Sequence, residues 1–415
     1  MRIGFANLMS MKRQFPRWKS IKPLLGWSFS SLFEKKDRKL ENCFTVDDLK
    51  SLAKKRVPKA VFDYVDGAAL EELSLTRAKE TFRRIEFRPH VLRNVSQIDL
   101  SQEVLGKKTA MPIIFAPTGY SRMMHYLGEP AVAQAALEND LIYSLSTMGT
   151  TSTEELANAV PEVRRWFQLY LWNDREQSKN FIENAKRDGF EALMLTVDTP
   201  ISGQRIKDNR NGLTVPPKIK TKTFFDMATK PKWWGNLLTT PPLEFATFRS
   251  YNAPLFELSK KIFDPSVTMN DIKWLKDTWV GPLIVKGVQR VDDAKELVKY
   301  GVDAIVISNH GGRQMDRATV PLETLPEMVK AVGKKMEVYI DGGVTSASDV
   351  LAAIGFGAKG VLLGRSYLYG LMAGGQNGVQ KMIDIFKLEM ETSMKLLGVK
   401  NLSEITPDLV SLRPY

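Results

Sequence analysis

Three stretches of this 415-residue chain carry residue types that could do chemistry together. In Ser308-Asn309-His310-Gly311-Gly312-Arg313 a histidine follows an apolar run, two glycines allow a tight backbone path, and an arginine comes three residues later. That pairing offers a general base beside an anion clamp. In Asp341-Gly342-Gly343 and Gly364-Arg365, glycines free backbone N–H groups and a cation stands next to one of them, a combination suited to phosphate.

The elements that must position these residues follow from the apolar runs around them. From about residue 110 onward, short runs rich in β-branched residues alternate with stretches of helical spacing. The runs 112–116, 141–145, 166–170, 192–197, 282–286, 303–307, 337–341 and 360–363 read as eight strands, with helices at 129–138, 175–188, 291–300 and 347–356 between some of them. Eight parallel strands in series predict a closed (β/α)8 TIM barrel. Such barrels carry their chemistry at the carboxyl ends of the strands, and here each run ends in polar or turn residues. These are Pro117-Thr118-Gly119, Ser146, Gln168 with Tyr170, Thr196 with Asp198, Lys286, Ser308 with His310, Asp341-Gly342-Gly343, and Gly364-Arg365.

The expected organisation has four parts. Residues 1–44 form a basic, aromatic N-terminal extension, and 45–110 a helical cap leading into the barrel, with Thr45 capping a first helix and Pro58 starting a second. The barrel occupies 111–395 and is interrupted after strand four by an insertion at about 206–275, since Val197 to Pro282 is too long for a simple connection. Residues 396–415 are a C-terminal tail.

Composition excludes several chemistries. A single cysteine, Cys43, rules out a disulfide framework, an iron–sulfur cluster and a Cys-rich zinc site, and three histidines leave no His-rich metal centre, so no metal is expected. The net charge of +12 is confined to two segments. Residues 1–40 carry a balance of +8 and residues 206–240 a further +5, which leaves the rest of the chain near neutrality. Both segments interleave Lys and Arg with Trp and Phe, the mixture an anionic lipid surface selects. Membrane-surface contact through 1–40 and 206–240 is therefore expected, and nucleic acid is not. No run of eighteen apolar residues exists to span a bilayer. Leu24 to Phe33 imitates a secretion signal, but Pro23 precedes it and charges at 34–39 follow, so a cytoplasmic protein at the inner membrane surface is expected.

The stretches Thr196-Val197-Asp198-Thr199-Pro200, Leu283 to Val288, Ser308 to Gln314 and Asp341 to Val344 resemble, in order, the motifs of the FMN-dependent L-2-hydroxy-acid oxidases and dehydrogenases, over about residues 45–395. The resemblance implies FMN as cofactor and oxidation of a 2-hydroxy acid, L-lactate foremost, with electrons passed to a quinone or similar acceptor. It implies His310 as the base, assisted by Asp198, as the α-hydrogen leaves toward flavin N5. Arg313 and Arg205 would clamp the substrate carboxylate, with Tyr64 adding a hydroxyl, and Tyr170 would bond the reacting oxygen. Lys286 would stand at flavin N1 and O2. Pro117, Thr118, Gly119, Ser146, Gln168 and Thr196 would border the isoalloxazine and Ser308 face it, while Asp341, Gly342, Gly343, Gly364 and Arg365 would hold ribityl and phosphate. It further implies a homotetramer.

Three positions depart from the family pattern. Thr345 stands where many relatives carry an arginine toward the phosphate, Met148 where glycolate oxidases have a bulky aromatic, and Gly119 where alanine is common. An oxidase that releases hydrogen peroxide, and an FMN-dependent isomerase, are the competing expectations. Two arginines and a tyrosine gathered for a carboxylate argue against the isomerase.

Overall fold

The computed structural model describes residues 37–213, 220–249 and 262–414. Within them, strands β1 (Ile85–Phe87), β2 (Gln102–Val104) and β3 (Lys107–Thr109) precede eight barrel strands. The barrel strands are β4 (Ile113–Phe115), β5 (Ile142–Ser146), β6 (Arg165–Leu169), β7 (Ala192–Thr196), β8 (Leu283–Val288), β9 (Ala304–Ile307), β10 (Glu337–Asp341) and β11 (Gly360–Leu363). They close into one all-parallel barrel in sequence order, with β11 returning to β4.

Side-chain alternation along a strand explains why a polar site crowns an apolar barrel. The packed interior contains Ala116, Trp166, Met194, Ile284, Val306, Tyr339 and Leu362. Two residues further along, the same inward parity delivers Thr118, Gln168, Thr196, Lys286, Ser308, Asp341 and Gly364. Register then sets Ser146 beside Gln168 and Thr196 beside Lys286 across neighbouring strands. The outward parity (Tyr143, Phe167, Leu195, Val285, Ile307) packs under the helices in a second core.

Both ends of the barrel are covered. Helices α1 (Val46–Arg56), α2 (Lys59–Asp66) and α3 (Leu73–Arg83) lie over the carboxyl ends of the strands, where Tyr64, Val65 and Lys79 share a cavity with Gly343 and Gly364. Thr45 starts α1 with a reciprocal bond to Asp48, a capping box that contributes about 1 kcal/mol. The amino end is closed by the β2–β3 hairpin, whose Val104 is fully buried among Ile114, Ile142 and Trp166. Arg164 and Glu337 hold that hairpin through Val104 O and Leu105 N–H.

Two parts differ from the sequence reading. Residues 396–415 do not form a free tail, because β12 (Val410–Leu412) pairs antiparallel with β1. The excursion after β7 ends earlier than 275, because Thr268 caps a helix over Met269–Thr278 that returns the chain to β8. Within the excursion, helices α4 (Thr221–Ala228) and α5 (Pro231–Leu238) expose Phe224, Phe225, Trp234 and Leu238. They are moored to the barrel side by Trp233 Nε1 donating to Met123 O and by Lys59 N–H donating to Asp226. The first basic segment lies outside the described residues up to residue 36. No described helix is long and apolar enough to cross a membrane.

Candidate active site

A cavity of about 970 Å³ opens at the carboxyl ends of the strands. Of the residues expected at the site, Tyr64, Pro117, Thr118, Gly119, Ser146, Tyr170, Arg205, Lys286, His310, Arg313, Asp341, Gly342, Gly343, Gly364 and Arg365 line it. Gln168 and Ser308 stand behind that lining, bonded to Ser146 and Lys286 respectively. Asp198 backs His310, and Thr196 borders a smaller cavity of about 390 Å³ next to it.

His310 sits just past β9 with φ of 57°, a left-handed conformation that is strained for a residue with a side chain. Its N–H donates to Ser308 Oγ at 2.9 Å, which helps hold that turn. Its Nδ1 lies 3.1 Å from Asp198 Oδ1. Burial pushes the Asp198 carboxyl up, but the facing charges of His310 and Lys286 outweigh it and hold the group below its ordinary value. An ionised Asp198 can only accept, so Nδ1 carries the proton of this bond and Nε2 is the ring nitrogen turned to exchange a proton with a ligand. Asp198 can approach this closely because residue 287 is glycine: at φ of 107°, an added Cβ would lie 2.7 Å from the Cβ of Asp198.

Lys286 is the buried cation of the site. Its Nζ lies 2.9 Å from Asp341 Oδ2 and donates to Ser308 Oγ at 3.0 Å. Burial alone would lower its pKa, but Asp341 and Asp198 outweigh that and raise it, so it stays charged.

Two guanidinium groups flank the Tyr64 ring, Arg313 at 5.0 Å and Arg205 at 5.7 Å from its centroid. Burial, and then the charge of Arg205, lower Arg313 to about 10, which leaves it a cation at neutral pH. Arg313 donates to the carbonyls of Tyr64 and Gly67, so the cap fixes its direction. Paired cations beside a phenol have the chemistry to receive a carboxylate. Burial raises Tyr170, with Asp198 and Tyr64 adding to it, so its phenol stays protonated as a hydrogen-bond donor.

Several buried polar atoms here have no partner among the described residues: Gln168 Nε2, Thr196 Oγ1, Asp198 Oδ2 and Asp341 Oδ1. Buried polar groups are normally paired, so atoms left open around a roomy cavity favour a polar ligand. At the other end, Gly364 precedes helix α6 (Arg365–Gly374), whose first turn has no side-chain cap. Its first-turn N–H groups, together with Gly343 at φ of 84°, make a cradle on the loops after β10 and β11 that is suited to a phosphate. These residues fit FMN: amide, hydroxyl and ammonium groups for the ring, Asp341 for the ribityl hydroxyls, and a helix end for the phosphate.

The Arg365 side chain also has partners that the sequence pattern does not announce. Its three guanidinium nitrogens donate to the carbonyls of Val65, Gly311 and Gly67. The side chain thus ties the cap to the His310 loop, while its backbone N–H belongs to the cradle. Two further residues are not singled out by sequence pattern. Asp208 bonds Arg205 at 2.7 Å, a pairing legible only as an i, i+3 spacing, and Lys79 joins the cavity from α3.

Comparison with known proteins is consistent with this arrangement. Residues 53–412 match the family model described as FMN-dependent dehydrogenase. A Mycobacterium tuberculosis protein, provisionally named an L-lactate dehydrogenase, is 45% identical over 96% of each chain. Mouse 2-hydroxyacid oxidase 1 is 40% identical, over 89% of this chain and 96% of its own. A crystal structure of (S)-mandelate dehydrogenase, a monotopic membrane protein, superposes with a TM-score of 0.86 at 33% identity, covering 90% of this chain and all of that one.

Proposed function

Because the chain belongs to the FMN-dependent dehydrogenase family, we propose that it oxidises a small L-2-hydroxy acid, L-lactate foremost, to the 2-oxo acid and passes the electrons to a quinone-like acceptor at a membrane surface. The observation that carries this reading is the His310–Asp198 pair at 3.1 Å, set in a cavity that also holds Arg205, Arg313 and Tyr64. FMN, when bound in that cavity, would supply the acceptor for the two electrons and the hydrogen that leave the substrate's C2.

The chain's own residues do the rest. Arg313 and Arg205 take the substrate carboxylate, and Tyr64 adds a hydroxyl to it. With the carboxylate fixed, the 2-hydroxyl is presented to His310 Nε2, which removes its proton. Asp198 stabilises the resulting imidazolium, and Tyr170 donates to the oxygen as it becomes a carbonyl. Tyr120, Met148, Phe245 and Phe263 provide apolar lining for the substrate side chain. Met148 is flexible and leaves room there for a methyl group or more.

The test is anaerobic bleaching of the flavin across a panel of 2-hydroxy acids, followed by reoxidation with oxygen or a quinone analogue. L-Lactate should bleach it fastest, and the quinone analogue should reoxidise it faster than air. A protein that no 2-hydroxy acid bleaches would overturn the reading. The second reading, an oxidase releasing hydrogen peroxide, rests on the similarity to the mouse enzyme, and rapid reoxidation by air would select it.

The same proposal places the exposed face of α4 and α5 on lipid. Lys220, Lys222, Lys230 and Lys232 flank the exposed Phe224, Phe225 and Trp234 in sequence, and a basic group contributes about 1 kcal/mol near anionic headgroups. The protein should float with phosphatidylglycerol vesicles at low salt and leave them at high salt. Serine at those four lysines should weaken flotation markedly. Equal binding to neutral and anionic vesicles would contradict an electrostatic attachment.

A further inference from the structure

Thr345 supplies no cation to the phosphate end of the cavity. Its N–H donates to Asp349 Oδ2 at 2.7 Å, which commits that loop to the start of the next helix. The cations facing this end come instead partly from the N-terminal cap. Lys50 of α1 and Lys79 of α3 line the cavity with Gly343, Thr345, Gly364 and Arg365. Lys50 is neutralised by Asp66 at 2.5 Å, which also accepts from Tyr369 at 2.7 Å. The Arg365 guanidinium is occupied by three carbonyls. Lys79 makes no hydrogen bond or ion pair among the described residues.

The placement of Lys79 follows from packing. A Cβ added at Gly343 would come within 3.0 Å of Ala78 Cβ and of the Phe82 ring, so α3 rests directly on the phosphate loop. Lys79 is the residue after Ala78, half-buried at the same edge. Burial, and then the charges of Lys50 and Arg365, make its ammonium harder to keep charged, with Asp66 and Asp47 opposing them. An unpaired ammonium held against other cations around a cradle of free N–H groups lacks an anion.

We propose that Lys79 is the FMN phosphate ligand that replaces the missing loop arginine, so that the N-terminal cap, in addition to the barrel, recognises the phosphate. This rests on FMN being the cofactor. The experiment strips flavin from the full-length protein and titrates it with FMN and with riboflavin, which lacks the phosphate, following flavin fluorescence. Lys79→Met should weaken FMN binding roughly tenfold to a hundredfold, the size expected for one charge-assisted contact, and leave riboflavin binding unchanged. Lys79→Arg should restore most of the loss. Unchanged FMN affinity in Lys79→Met, or an equal loss for both flavins, would overturn the proposal while leaving the family reading intact. Parent protein that binds neither flavin would overturn both.

Discussion

Replacement of His310 by glutamine should leave a yellow protein that a 2-hydroxy acid no longer bleaches at a useful rate. Glutamine keeps much of the imidazole's volume and a polar end for Asp198, so the turn after β9 and the flavin cavity should persist. It cannot take a proton. Loss of a positioned general base removes roughly 10²–10⁴-fold. The charge stabilisation between the imidazolium and Asp198 disappears with it, which sets the expected loss in the bleaching rate at about 10⁴-fold or more. Binding of the 2-oxo acid product should change by less than about threefold, because Arg313, Arg205 and Tyr64 are untouched. Stopped-flow bleaching together with a product titration separates the two quantities. A variant within tenfold of the parent would mean that another group accepts the proton.

Lys286→Met should instead be read in stability. The lysine and Asp341 side chains are only 4% and 10% exposed, and Asp198 is a further carboxylate whose charge reaches the same ammonium. Removing the cation leaves Asp341 buried without its ion-pair partner and takes from Asp198 one of the charges that hold its carboxyl down. Breaking a buried pair from one side costs about 3–5 kcal/mol, a large share of a typical domain's stability. Denaturant unfolding of the flavin-free protein should show that loss. Adding Asp341→Asn to Lys286→Met should recover a substantial part, because it removes the stranded charge. A single variant that loses less than about 1 kcal/mol would show that Lys286 serves the cofactor and not the fold.

The barrel is legible in the sequence because its strands are buried on both faces and read as apolar runs. The site is legible for a related reason: two-residue alternation carries the inward face from Trp166 to Gln168 and from Val306 to Ser308, so the polar residue closing a run has to face the mouth. What escapes is held by distant contacts or by unusual turns. The β2–β3 hairpin turns at Leu105-Gly106, both at positive φ, and lacks the Asn-Gly signature that marks such turns. Its strands are three residues long, too short for alternation to register. The bonds from the Arg365 side chain to carbonyls of the cap and of the His310 loop are likewise encoded by no local pattern. Lys79 looks like one more solvent-facing helix lysine until α3 is seated on Gly343.

The pairing of β1 with β12 bears on the order of events during synthesis. Tyr64 and Lys79 emerge from the ribosome well before Val410, whose strand supplies the ladder that fastens the segment after α3. While the barrel strands are still being made, the three cap helices lack that fastening and also the loops they rest on. The part of the site that is synthesised first is thus fastened by a strand made after the whole barrel.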